Sequence, residues 1–502
     1  MQSLGSKIAD VREAAGITQA ALAKKLKTTQ SAIARMEAGK QNVSTDMLRR
    51  ISQALGKNLI TLSPGTVNVA LDGGYHLSGT IETNTSKNGA VGLLCASLLN
   101  RGTTTLRRMP RIEEVHRLIE VLTSIGVKVE WHGSDVVITP PKTFKLGSID
   151  TEAARKTRSI VMFIGALMHH LPSFSLPQSG GCKLGSRTVQ PHFFALEHFG
   201  VHIETTALSF KVTCAPRRPR EVILYESGDT VTENALFAAA RTPGTTVIKY
   251  ASANYMVQEV CAFLLACGVQ IEGIGTTTLT VTGVANINTD LEYTLSEDPT
   301  DSMFFIAAAV VTNSAITITR CPIEFLELEL LTLEKMGLRF TIGAPYLSHN
   351  GRTKLVDIKF KPQPARDLIA PPEKVHPRPY PGLNADNLPF FAVIATQAKG
   401  QTLIHDWMYE KRAIYFTELD KLGADTVLAD PHRIFINGPT PLRAAELICP
   451  PALRPATILL IAMLGAQGRS VLRNIYSINR GYENLVARLS SLGAHISYLD
   501  EF

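Results

Sequence analysis

The sequence predicts an α/β protein: a body built from six similar units, preceded by a small all-α helix-turn-helix module. Three observations carry this. Glycine recurs at near-constant spacing at the ends of apolar helical stretches throughout residues 66–499. The pattern breaks at Leu62-Ser63-Pro64-Gly65, where short helices give way to strand-like runs. Charge is also uneven: residues 1–57 hold ten Lys and Arg against four acids, six of the chain's net charge of +7.

Composition bounds the rest. At roughly 150 residues per domain, 502 residues suggest about three units. With 45% hydrophobic and 19% charged residues, the chain is globular rather than disordered or a disulfide scaffold. No apolar run reaches the roughly 18 residues of a membrane helix, and the longest, 304–311 and 458–466, read as core. The first residues carry Lys7 and Asp10 and no apolar stretch, so no secretory signal is expected. Seven cysteines without a CxxC or Cys/His spacing predict reduced thiols and a cytoplasmic protein.

In the head, Ile8, Val11 and Ala15 recur at helical spacing up to Gly16. Thr18 caps a second helix over 19–26 with Leu22 and Ala23 inward. A third runs from about Gln30 to Gly39 with Ile33 and Met36 inward, and Ser44 opens a fourth carrying Met47, Leu48, Ile51 and Leu55. Two short helices joined by a tight turn suit the major groove, and basic excess suits a polyanion. The string Gly16-Ile17-Thr18-Gln19, Leu22-Ala23 and Gln30-Ser31-Ala32-Ile33-Ala34-Arg35-Met36-Glu37-Ala38-Gly39 resembles Cro/repressor-type DNA-binding domains over about residues 4–57. That resemblance implies DNA binding, usually as a dimer, with Gln19 at a phosphate and Thr29, Gln30, Ser31 and Arg35 facing the groove. The plainer alternative is a helical bundle kept for protein contacts, its charge merely solvated.

The body repeats. Helix-ending glycines fall at Gly126, Gly200, Gly268, Gly337, Gly423 and Gly493, with intervals of 74, 68, 69, 86 and 70. Glycine there fits the left-handed position that ends a helix before a strand. Turn-strand starts recur upstream at Gly102-Thr103-Thr104, Gly244-Thr245-Thr246, Ser314-Ala315-Ile316, Gly400-Gln401-Thr402 and Gly468-Arg469-Ser470, with a weaker one at Ser173-Phe174-Ser175. A period near 70 exceeds solenoid repeats and falls short of a domain, so six units suggest two globular halves of three with a cleft between them.

Three motifs stand in order along this body: Ser86-Lys87-Asn88-Gly89-Ala90, Gly180-Gly181-Cys182-Lys183-Leu184-Gly185-Ser186-Arg187, and Tyr476-Ser477-Ile478-Asn479-Arg480-Gly481-Tyr482-Glu483. With them, residues 66–499 resemble the UDP-N-acetylglucosamine 1-carboxyvinyltransferases, the enolpyruvyl transferase family of peptidoglycan synthesis. The resemblance implies a fold of two inverted α/β barrels. One half would be 87–293, the other 294–499 with the terminal strand at 66–86, and 1–63 would be the helix-turn-helix domain. It implies transfer of an enolpyruvyl group from phosphoenolpyruvate to the 3′-hydroxyl of UDP-N-acetylglucosamine with loss of phosphate. No metal or organic cofactor is implied, because cationic side chains neutralise the phosphate.

Gripping a phosphate and a carboxylate on three carbons needs cations that stay charged, which favours arginine. By resemblance Lys87, Arg187 and Arg480 take the phosphate, Arg412 and Arg454 the carboxylate side, and Arg158 lies in the same cleft. Cys182 sits among glycines and cations that can lower a thiol pKa, and in the family it handles the proton at the methylene carbon. The other cysteines read as small buried hydrophobes. Asp386, ending Tyr380-Pro381-Gly382-Leu383-Asn384-Ala385-Asp386, matches the family's base for the sugar hydroxyl; a loop-capping role is the alternative. Asn88 would hold the sugar and Gln190 the uracil.

The sequence departs from the family pattern at four places. Ala452 stands where the family has aspartate, Gln190 replaces another aspartate, Asn254 and Met256 lie in a usual Glu-Pro-Glu, and Asn384-Ala385 replace Pro-Thr. A second reading is therefore a transcription regulator whose body senses a UDP-sugar or phosphoenolpyruvate with little or no turnover. A third, the sister enzyme acting on shikimate 3-phosphate, is disfavoured by the Gly-Gly-Cys loop.

Overall fold

A computed structural model of the chain describes residues 8–9, 12–13, 17–26, 28–38, 47, 50–51, 54, 67–178, 180, 188–364 and 367–499. The chain divides into two compact units: Met1–Val69 with Arg473–Tyr476 and Tyr498–Phe502, and Ala70–Leu472 with Ser477–Ser497.

In the first unit, helices α1 (Gln19–Leu26) and α2 (Gln30–Glu37) pack together as expected. The Thr18 hydroxyl accepts from Ala21 N at 3.1 Å, and the Thr29 hydroxyl accepts from Ala32 N at 3.2 Å, so each helix opens on its own cap. Leu22, Ala23, Leu26, Ile33 and Met36 close a small core with Ile8, Ala32 and Ile51. The buried Arg12 donates through Nε to Glu37 Oε1 at 2.6 Å and through Nη2 to Oε2 at 3.0 Å, tying the end of α2 to the first helical residues. The expectations at Val11, Ala15, Gly16, Gly39, Ser44, Leu48 and Leu55 lie outside the described residues.

The second unit contains helices α3 (Lys87–Ala96), α4 (Glu113–Ser124), α5 (Gln190–Glu197), α6 (Asp229–Ala240), α7 (Tyr255–Ala266), α8 (Pro299–Val311), α9 (Glu327–Lys335), α10 (Leu388–Ala395) and α11 (Leu453–Gly465), among others. Among the described residues the sequence repeat becomes six small sheets. In the first, Thr104–Arg107 pairs antiparallel with Asp135–Thr139, which pairs with Lys128–His132. The other five first strands are Ser173–Pro177, Gly244–Lys249, Ala315–Pro322, Gly400–His405 and Gly468–Arg473, including the unit whose sequence signal was weak. All six helix-ending glycines take positive φ, between 79° at Gly200 and 96° at Gly126. Only glycine adopts that conformation without a Cβ penalty, which is why it marks the period.

The sequence repeats interlock by exchanging strands. Leu291–Thr294 runs parallel to Thr104–Arg107, closing the first sheet with a strand nearly two hundred residues downstream. Ser78–Glu82 likewise pairs parallel with the strand beginning at Ala315. Asn68–Gly73 lies between Gly468–Arg473 and His495–Leu499, the inner place that Asp135–Thr139 holds in the first sheet. Three sheets thus draw on 104–294 and three on 68–82 with 315–499.

Helices α8, α10 and α11 pack against one another, and every residue of α8 and α10 is buried. Beyond Thr300, Asp301 and Ser302 at the start of α8, both helices are apolar on all sides because no face meets water. The core around the other three sheets is built the same way, with α3, α6 and Phe163–Leu167 in contact.

Candidate active site

Four helix starts converge. Lys87 opens α3, whose cap is Ser86, its hydroxyl accepting from Gly89 N at 2.9 Å. Asp298 caps α8, and its Oδ1 accepts from Thr300 N at 2.8 Å. Its Oδ2 accepts from Lys87 N at 3.2 Å, so one carboxylate joins two helix N-termini. Asp386 lies two residues before α10, and Arg454 is the second residue of α11. N-terminal helix ends carry unpaired N–H groups and partial positive charge, a setting that favours an anion.

Arg454 is the hub. Its Nη1 donates to Tyr482 Oη at 2.9 Å, and its Nη2 to Thr300 Oγ1 at 2.8 Å and Asp386 Oδ2 at 3.2 Å. Burial works against the guanidinium charge, but Tyr482, Asp386 and Asp298 outweigh it and hold Arg454 protonated. Burial likewise pushes the Asp386 carboxyl up, and Arg454, Arg412 and Lys87 together bring it below its ordinary value, so it is a carboxylate at neutral pH.

Arg480 pairs with Glu114, whose charge also acts on Lys87. Arg480 donates to Glu114 Oε2 through Nη2 at 2.6 Å and Nε at 3.2 Å, while Thr157 Oγ1 donates to Oε1 at 2.6 Å. Burial and then the charges of Arg480 and Arg454 depress Lys87, against Glu114 and Asp386, which raise it. Burial pushes Glu114 up, but Lys87 and Arg480 pull it below its ordinary value. Lys87 Nζ donates to Asn88 Oδ1 at 2.9 Å, and Asn88 Nδ2 to Tyr255 Oη at 3.1 Å. The structure therefore brings Lys87, Asn88, Asp386, Arg454 and Arg480 into one connected cluster.

The remaining expected residues are placed differently. Arg412 is fully buried, ion-paired to Asp406, and stacked 4.2 Å from the Tyr409 ring. Its Nη2 donates to Ala385 O at 2.7 Å, so it braces the Asp386 loop from behind. Arg158 is half-buried and donates to Thr188 O at 2.6 Å; Gln190 is exposed at the first turn of α5. Cys182 and Arg187 lie outside the described residues. Of the other six cysteines, all free, Cys95, Cys261, Cys321 and Cys449 are buried as expected, whereas Cys214 and Cys267 are only partly so because each ends an element near the surface. In the head, Thr29, Gln30, Ser31 and Arg35 lie exposed on α2, with Thr29 also capping it. Gln19 Nε2 is bonded to Glu37 Oε2 at 2.8 Å.

Further buried polar residues support this cluster. Asp298 had a readable signal, an aspartate directly before a proline and an apolar run. Glu114 had none, because its partner is 366 residues away; Tyr482 stands inside the Arg480 motif, but its partner Arg454 is 28 residues away. Glu233 and Glu259 had none either, buried behind α3 with Glu233 Oε1 and Glu259 Oε2 unbonded. A Cβ at Gly89 would stand 1.9 Å from Glu259 Oε2, so α3 carries glycine where it passes that carboxyl. Among the described residues no three His, Cys, Asp or Glu side chains gather to hold a metal, and no helix is long and apolar enough to cross a membrane.

The EPSP synthase (3-phosphoshikimate 1-carboxyvinyltransferase) family matches residues 71–489. The UDP-N-acetylglucosamine 1-carboxyvinyltransferase of Treponema denticola is 33% identical over 426 residues, 85% of this chain and 98% of that one. The enzyme of the same name from Bradyrhizobium diazoefficiens is 32% identical over 439 residues, 87% of this chain and 99% of that one. The chain belongs to the carboxyvinyltransferase family. Its fold is the enolpyruvyl transferase fold: the crystal structure of the enolpyruvyl transferase NikO from Streptomyces tendae superimposes with a TM-score of 0.73 at 24% identity, covering 87% of this chain and 99% of that one. The helix-turn-helix family matches residues 8–62.

Within this carboxyvinyltransferase two of the residues that depart from the pattern the resemblance implies, Asn384 and Asn254, are in contact. Asn384 Nδ2 donates to Asn254 Oδ1 at 3.4 Å, and Asn254 Nδ2 to Asp229 Oδ2 at 3.3 Å, so two of the replaced segments touch. Ala452 is the buried N-cap of α11 and offers no side-chain cap, one residue before the hub arginine's own turn.

Proposed function

We propose that this chain transfers the enolpyruvyl group of phosphoenolpyruvate to the 3′-hydroxyl of UDP-N-acetylglucosamine, releasing phosphate, as the first committed step of peptidoglycan synthesis in the cytoplasm. The observation that carries the reading is the Arg454–Asp386 contact at 3.2 Å beside Lys87 and Arg480: a carboxylate and cations of both halves of the body in one cluster. Lys87, Arg187 and Arg480 take the phosphate. Arg454 takes the carboxylate, Arg412 supports that side from behind the Asp386 loop, and Arg158 lies at the cleft. Asp386, ionised at neutral pH, accepts the 3′-hydroxyl proton as that oxygen bonds to the central carbon of phosphoenolpyruvate. Cys182 supplies the proton that turns the methylene into a methyl group; loss of a proton from that methyl and of phosphate restores the double bond in the product. Asn88 holds the sugar and Gln190 the uracil.

The division that goes with this is 1–63 as the helix-turn-helix domain, 87–293 as one half of the enzyme, and 66–86 with 294–499 as the other. The head binds DNA through Thr29, Gln30, Ser31 and Arg35, with Gln19 at the backbone, its basic excess supplying the non-specific part of the affinity. The deciding assay is phosphate release from phosphoenolpyruvate with and without UDP-N-acetylglucosamine, beside Cys182→Ala. Acceptor-dependent release lost in the variant is expected. Tight binding of both ligands with no release rejects the enzyme.

A further inference from the structure

We infer that Glu329 is a positioning residue for the reaction, fixing from behind the loop that carries Asp386. The inference rests on the reading of Asp386 as the base.

Glu329 lies on α9 beside Leu330 and is 1% exposed, in a place where an apolar side chain would pack without desolvation cost. Its Oε1 accepts from Asn384 N at 3.0 Å and from Asn387 Nδ2 at 2.7 Å. These donors flank Asp386 on both sides. Asn384 completes the turn: its Oδ1 accepts from Asp386 N at 2.8 Å, and its Nδ2 reaches Asn254 Oδ1 at 3.4 Å. The loop is thus tied to α9 behind it and to α7's cap in front.

The arrangement explains a departure from the family. Where the resemblance places proline, Asn384 carries a backbone N–H that must be satisfied inside the protein, and Glu329 is its acceptor. Proline would fix the loop through its ring; here hydrogen bonds do so. Burial raises Glu329 to about 7, against Asn387 and Asn384, yet in either protonation state one oxygen remains to accept both N–H groups. The charge is therefore dispensable and the acceptor is not.

The test is steady-state kinetics on the full chain for Glu329→Gln, Glu329→Leu, Asn384→Pro and the Leu/Pro double variant, with phosphoenolpyruvate binding measured separately. Glutamine keeps the acceptor and should leave kcat within about threefold, whereas leucine should lower kcat about tenfold or more while phosphoenolpyruvate binding stays within about threefold. Proline at 384 removes the orphaned donor, so Glu329→Leu should cost less in that background. Wild-type kcat in Glu329→Leu, or an equal loss in Glu329→Gln, overturns the inference. Should Glu329→Leu not fold, Asn387→Ala decides: it removes one of the two donors that Glu329 holds and must lower kcat while Glu329→Gln does not. Asp386→Asn is run alongside. If it stays active, the base reading fails and takes this one with it; if it is inactive while Glu329→Leu is unimpaired, only the positioning role fails.

Discussion

Arg454 and Asp386 belong to the approaches of two neighbouring buried helices, α11 and α10, and meet at 3.2 Å from Nη2 to Oδ2. The same guanidinium reaches Thr300 on α8 and Tyr482, so one planar group spans three separate elements. A lysine ammonium cannot reproduce that spread, since it is a point charge on a flexible stem. Arg454→Lys is expected to lower kcat/KM for phosphoenolpyruvate by about 30- to 100-fold, or roughly 2–3 kcal/mol, while the fold is kept. Full activity in this variant would remove Arg454 from the centre of the site.

In its proposed role at the phosphate Lys87 must stay protonated, and its pKa lies below the ordinary lysine value. The alkaline limb of kcat/KM for phosphoenolpyruvate should therefore fall below the pH where a free lysine titrates. Glu114 raises Lys87, so Glu114→Gln should move that limb to still lower pH. Arg480 loses its carboxylate partner in the same variant, and KM for phosphoenolpyruvate should change with it. A pH profile that stays in place assigns the limb to another group.

Glu259 is buried against Gly89 and raised to about 7, chiefly by burial, with its N–H bond from Ser296 opposing and Glu297 adding. A carboxyl whose folded pKa is raised binds more protons folded than unfolded between the two values. Its stabilising share is therefore present below the unfolded pKa near 4.5 and is lost as pH rises through about 7. Glu259→Gln should narrow that loss by on the order of 1–3 kcal/mol, seen as a Tm that falls less between pH 5 and 8 than in the parent. Parallel Tm curves would mean that Glu259 does not titrate in this range.

How much of this was legible follows from what each feature depends on. The six helix-ending glycines were readable because a left-handed residue is a local demand that only glycine meets cheaply. The cap Thr18 was readable for the same reason, one residue deciding one turn. The strand exchange was not: Leu291–Thr294 differs in no local respect from a strand that pairs with its neighbour, and its partner at Thr104 is fixed only by packing. In the site, Lys87, Asp386 and Arg480 came from motifs, whereas Glu114, Thr300 and Glu329 were invisible because each matters through a partner remote in sequence. Arg412 shows the converse: a motif located it, but only packing reveals that Asp406 takes its charge.

Ala452 offers a test of repair rather than loss. It is the N-cap of α11, buried, with no side chain to accept from the helix's first N–H groups, and the resemblance places aspartate here. An aspartate would cap α11, favour the positive helix end and stand next to Arg454's turn; caps of this kind are worth about 0.5–2 kcal/mol. The cost is a second carboxylate near Asp386 and Asp298, which Arg454 already serves. Ala452→Asp is therefore expected to raise kcat with little change in Tm, the cap's gain offsetting the burial of charge. A drop in both kcat and Tm would mean that the chain has rebuilt this corner around alanine.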